Sequence, residues 1–241
     1  MSDRRKTRRS RASVPHEVKA IREELVAFLD SSDSTGRVPG NAKCGVYVFY
    51  DYDGEPIYVG QTRERVRVRI RRHLTNQRTD AVAMNVLDPF EVAEVEIYPF
   101  YELEQPSPGE NQTSYDARIR QTLAAAEYTV FQNVLRDSAL GAVLNEADVA
   151  DAAVIELPAS HRGRIIPPDI YELRKHPDVR IARRASTVAN LARVISERDV
   201  SPGLRRTLLT QARRIEKLAR ERLDEVIGEG ERIPVERVEE E

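Results

Sequence analysis

The sequence predicts an α+β fold: a small antiparallel three-stranded sheet flanked by helices, with one helix before it and a helical hairpin after it. Three observations predict this. Residues 44–60 take a two-residue apolar period around Asp53-Gly54, and residues 92–98 (VAEVEIY) alternate in the same way. Segments 63–75, 114–136 and 178–227 carry apolar side chains at helical spacing instead. The chain has 241 residues, 40% hydrophobic and 32% charged, which suits one domain with extensions. No apolar run approaches the roughly 18 residues of a membrane span.

Residues 1–14 read as a basic, disordered arm. Pro15 opens a helix to about Leu29, with Val18, Ile21, Leu25, Phe28 and Leu29 on one stripe. Residues 30–41 form a Ser-, Asp- and Gly-rich linker, so helix and linker span 15–41. The core is expected over 42–157. A Pro-rich connector follows over 158–177, then a basic helical hairpin over 178–228, with Ser201 and Pro202 starting its second helix. An acidic tail occupies 229–241. The opening MSDRRKTRRSRAS lacks the apolar stretch of a secretory signal. Cys44, the only cysteine, can neither build a disulfide framework nor complete a structural zinc site. A reduced cytoplasmic setting is the expectation.

The net charge of −2 hides a strong segregation. Residues 1–22 and 63–78 each carry +6 and residues 174–222 carry +9, while 79–157 carry −12. Arginine outnumbers lysine 33 to 5, and its planar fork matches phosphate oxygens. The basic blocks are either phosphate-binding surfaces or solvated helix faces.

Asp53-Gly54 between two β-prone runs predicts a two-residue hairpin turn. That turn sets Tyr50 opposite Ile57, Phe49 opposite Tyr58 and Tyr47 opposite Gly60. Val46, Val48, Tyr50, Ile57 and Val59 then share a core face, and Tyr47, Phe49 and Tyr58 share the other. A three-residue loop would separate the tyrosines. Downstream, Arg69 and His73 stand at i and i+4 and leave their helix on one face. In segment 114–136, Glu127 falls about 80° from Ile119, inside the stripe of Leu123, Ala126, Val130 and Val134. A carboxylate there is costly unless it pairs with a cation, a metal or Arg120, or reaches solvent.

Gly45-Val46-Tyr47 on one strand and Tyr58-Val59-Gly60 on the next resemble the signature of the GIY-YIG nuclease superfamily, with Val in place of Ile in both triplets. The resemblance covers about residues 42–157. It implies a metal-dependent DNA endonuclease with Tyr47, Tyr58, Arg69, His73, Glu127 and Asn145 as catalytic residues. Arg69 is similar in position to the family's phosphate-binding arginine, and Arg65 is a poorer substitute. His73 resembles the histidine that assists proton transfer in the GIY-YIG restriction endonucleases. Glu127 resembles the metal-binding glutamate, implying Mg²⁺ or Mn²⁺. Asn145 looks like the asparagine that follows it, although the spacing is longer than in compact relatives; Asn133 competes for that place. Residues 76–92 do not follow the family pattern. The resemblance further implies double-stranded DNA as partner and a homodimer with one site per strand; the basic blocks add Arg63, Arg65, Arg72, Arg205, Arg206 and Arg213 as expected phosphate contacts. Restriction-type cleavage is the leading expectation. A structure-specific repair or mobile-element nuclease and a catalytically decayed binding module are the alternatives.

Overall fold

The computed structural model describes residues 14–75, 86–145 and 149–228. The expected basic arm, apart from Val14, and the acidic tail lie outside them. Helix α1 (His16–Asp30) begins beside Pro15 and buries Leu25, Phe28 and Leu29. Strands β1 (Gly45–Tyr50) and β2 (Pro56–Thr62) form the hairpin, followed by α2 (Val66–Thr75), β3 (Glu94–Pro99) and the long α3 (Gln112–Asp137). Asn111 caps α3 by accepting from the Ser114 amide. No helix among the described residues is long and apolar enough to cross a membrane.

Among the described residues the expected three-stranded sheet has four strands, the fourth being β4 (His161–Arg164), in the order β2-β1-β3-β4, all antiparallel. Strand β4 comes from the segment expected to be a connector. His-Arg-Gly-Arg has no apolar alternation, because an edge strand needs only its backbone to pair, and charges on it block further pairing. Arg162 reaches Glu94 at 2.8 Å and stacks over Tyr50, while Arg164 stacks over Tyr171. Gly163 is required because Phe28 of α1 would stand 2.8 Å from a Cβ there. The rest of the expected connector supplies α4 (Pro168–Lys175), started by its own prolines.

Two apolar layers sandwich the sheet. On one side Cys44, Val46, Val48, Tyr50 and Val59 pack against Leu123, Ala126, Val130 and Val134 of α3. Ile155 joins this layer, and its amide donates to Thr129 Oγ1. On the other side Tyr47, Phe49 and Tyr58 pack with Leu25 and Leu29 of α1 and with Val66 and Ile70 of α2.

Helices α5 (Pro177–Glu197) and α6 (Pro202–Ile227) form the C-terminal hairpin, and Leu191 and Leu204 join this second layer. Its buried face differs from the expected stripe. Leu204, Thr207, Gln211, Arg214 and Leu218 turn inward, whereas Leu223 and Val226 are exposed. Leu204 stays in the interface with Leu208 packed beside it, and Thr207, Gln211 and Arg214, each hydrogen-bonded, take the positions next to them.

Candidate active site

The turn that joins β1 to β2 determines which side chains share a face. It is a three-residue loop, not the expected two-residue one: the Asp51 amide donates to the Glu55 carbonyl and the Gly54 amide to the Asp51 carbonyl. Gly54 takes the left-handed conformation, φ +74°, that closes such a loop. A bulge compensates. The register runs Tyr47↔Gly60, Phe49↔Tyr58 and then Tyr50↔Pro56, so Ile57 is the extra residue. Tyr47 and Tyr58 thus lie on one face as expected, and Ile57 moves from the expected Val46 face to the tyrosine face.

The tyrosines form a buried aromatic nest with His73. The Tyr47 and Tyr58 rings stack with centroids 6.2 Å apart, and the His73 ring lies 5.9 Å from Tyr47 and 5.2 Å from Tyr58. Gly60 makes this arrangement possible, since a Cβ there would meet the Tyr47 hydroxyl oxygen at 2.7 Å. Arg69 Nε donates to that oxygen at 3.3 Å. Burial works against the Arg69 charge, yet the Tyr47 oxygen holds the guanidinium above its usual value. Burial, with help from the Arg69 and Arg72 charges, depresses His73 from 6.5 to about 4. His73 is therefore a neutral imidazole at neutral pH. Neither of its ring nitrogens has a hydrogen-bond partner among the described residues.

Glu127 projects from α3 beside edge strand β2, next to Gln61. It is half-buried at the margin of the α3 stripe, where Gln61 Nε2 donates to its Oε2 at 2.9 Å. Sequence reasoning missed Gln61. Strand alternation from Val59 carried the signal, since Gln61 shares its face. Asn145 serves the same strand from outside, accepting from the Val59 amide at 3.2 Å and donating to the Val59 carbonyl at 2.9 Å. The Leu144 amide adds a bond to the Ile57 carbonyl. Asn133 instead accepts from Arg136 on its own helix.

Residues 43–103 match the GIY-YIG catalytic domain. No curated protein and no solved structure matches the chain. The match encloses Tyr47, Tyr58, Arg69 and His73 and ends before α3, so it does not reach Glu127 or Asn145. Within the GIY-YIG region Arg63 and Arg65 are exposed, and Arg72 pairs with Glu64 at 2.6 Å.

The C-terminal basic block is heterogeneous. Arg174, Arg180, Arg184 and Arg214 are buried in ion pairs and belong to the fold, contrary to the expected phosphate-binding or solvated face. On α6, Lys217, Arg220 and Arg222 pair with Glu221, Glu216 and Asp178. Arg205, Arg206 and Arg213 are exposed on its first half. That half adjoins the segment bonded to β2, because Thr207 Oγ1 donates to the carbonyl of Asn145, whose side chain holds Val59, at 3.1 Å.

No group of three or more His, Cys, Asp or Glu side chains converges among the described residues. A single carboxylate fixed by an amide fits a hard divalent cation that keeps several waters and binds substrate phosphate. It does not fit a zinc or cluster site.

Proposed function

We propose that the protein is a divalent-metal-dependent DNA endonuclease of the GIY-YIG type that cleaves double-stranded DNA in the manner of a restriction enzyme, as a homodimer on its substrate. The observation that carries the nuclease reading is the convergence of buried Tyr47, Tyr58 and His73 with half-buried Arg69, inside a region that matches this nuclease domain.

Arg69 lies where its remaining guanidinium nitrogens can hold the scissile phosphate while Nε stays on Tyr47. Its charge favours the phenolate form of Tyr47, which takes the proton from the attacking water or orients it. The new P–O bond forms as the bond to the leaving oxygen breaks, and the leaving oxygen takes up a proton. The proton that Tyr47 collects passes on to solvent, because His73, depressed to about 4 by burial, resists a positive charge and packs as a neutral ring against both tyrosines. Tyr58 steadies the water or a phosphate oxygen. Glu127, oriented by Gln61, would hold a divalent cation that neutralises phosphate charge and supports the leaving oxygen. Asn145 holds the strand that carries Tyr58. Exposed Arg63, Arg65, Arg205, Arg206 and Arg213, with Arg72 beside Glu64, follow the backbone of the flanking duplex.

Cleavage of plasmid DNA with and without Mg²⁺ or Mn²⁺, followed by sequencing of the ends, tests this reading. Metal-dependent discrete fragments with one shared end sequence are expected. Cleavage confined to junctions would replace the restriction reading by a structure-specific one, and binding without cleavage would overturn the nuclease reading.

A further inference from the structure

A buried ionic cluster fastens the turn between the tyrosine strands to the C-terminal hairpin. The Asp51 side chain, 1% exposed, receives Arg184 Nη2 at 2.8 Å, Arg180 Nη2 at 3.4 Å and Arg214 Nη2. Its Oδ1 also accepts the amides of Asp53 and Glu55, which shapes the three-residue loop. Arg180 grips both oxygens of Asp53, and Arg184 Nε reaches Glu91 Oε2 at 3.1 Å. Arg184 Nη1 donates to the Arg214 carbonyl and ties α5 to α6. Arg180, Arg184 and Arg214 thus balance Asp51, Asp53 and Glu91.

Such a cluster is a poor choice for stability alone, since well-packed apolar residues of similar volume commonly do as well. It does discriminate between arrangements. Tyr47 and Tyr58 share a face only because the bulge at Ile57 offsets the three-residue loop, and a slip of one residue would turn one strand's side chains over. A slipped turn would withdraw Asp51 and leave buried guanidiniums without their counter-charge.

We propose that the α5–α6 hairpin is a register clamp for the tyrosine hairpin, with Arg180, Arg184 and Arg214 acting through Asp51 as positioning residues. The consequence for catalysis rests on the nuclease reading; the clamp itself does not.

Peptide-level hydrogen exchange on the full chain tests the clamp in Arg214→Met, in the conservative Arg214→Lys, and in Asp53→Asn, whose side chain is 48% exposed and whose loss spares the core. In Arg214→Met, exchange across residues 45–62 rises by about tenfold or more while α3 is unchanged, and Arg214→Lys recovers part of the protection. On DNA, kcat of Arg214→Met falls about tenfold and KM stays within about twofold, because positioning and not binding is lost. If Arg214→Met does not fold, Asp53→Asn decides, with a rise of about threefold expected in the same peptides. Faster exchange confined to 177–227, or wild-type exchange over 45–62 in Asp53→Asn, would overturn the clamp. A wild-type protein that cleaves no DNA would remove the nuclease reading and leave the exchange result standing.

Discussion

Gly60 is the position where the tyrosine nest tolerates least. A methyl group there would meet the Tyr47 Oη at 2.7 Å, its Cζ at 2.9 Å and Tyr58 Cε1 at 2.9 Å. Gly60→Ala therefore displaces the Tyr47 phenol from Arg69, and urea unfolding should register a loss of about 1–3 kcal/mol alongside a fall in kcat. Tyr47→Phe and Glu127→Ala should each lower kcat by about a hundredfold or more while DNA binding in a mobility-shift assay persists. His73 supplies a pH signature that needs no substrate. Its folded value of about 4 lies below the ordinary 6.5, so below pH about 6.5 the unfolded chain takes up a proton that the folded chain refuses. Its contribution is complete above that pH and is lost as pH falls toward 4, at about 1.4 kcal/mol per unit. The difference in unfolding free energy between wild type and His73→Phe, followed from pH 7 to pH 5, should shrink accordingly; a constant difference would mean that the imidazole is not held neutral.

Among the elements, β2 and α6 show different uses of polar side chains. Strand β2 is a sheet edge, yet its outer backbone groups at Ile57 and Val59 are taken by Leu144 and Asn145, which protects the edge and steadies the Tyr58 segment. Helix α6 directs Thr207, Gln211 and Arg214 inward and leaves Arg205 and Arg213 outward. These two make no ion pair among the described residues, whereas the cations farther along the helix are paired. Reversing both, Arg205→Glu with Arg213→Glu, should lower the slope of log Kd against log salt by about 1.8, at about 0.9 for each phosphate no longer neutralised. An unchanged slope, measured in the Tyr47→Phe background to prevent cleavage, would assign this face to solvent.

The sheet is held by an apolar layer under α3 and, on its other face, by a second apolar layer that α5 and α6 complete together with the ionic cluster. A chain ending at His176 would keep the first, lose Leu191 and Leu204 from the second and expose Asp51 and Glu91 to water. With that burial gone, circular dichroism of the truncated chain should show a melt at lower temperature and of lower cooperativity than that of the full chain. Much of this architecture was legible beforehand. The i, i+4 pair of Arg69 and His73 and the carboxylate of Glu127 beside an apolar stripe follow from helical spacing, whereas the shared face of Tyr47 and Tyr58 rests on the bulge at Ile57 and not on the expected two-residue turn. What spacing cannot show is a partner distant in the chain. Strand β4 carries no alternation and forms because β3 offers a backbone edge; Gln61 becomes significant only when α3 lays Glu127 against it; the arginines of α5 and α6 look like a solvated cationic face until Asp51, more than a hundred residues earlier, is brought among them. The sequence by itself determined strands β1 to β3 and helices α1, α2, α3, α5 and α6, because their apolar periods are local. Only the tertiary structure decided which arginines are left for a phosphate, since burial beside a carboxylate is a property of packing and not of local pattern.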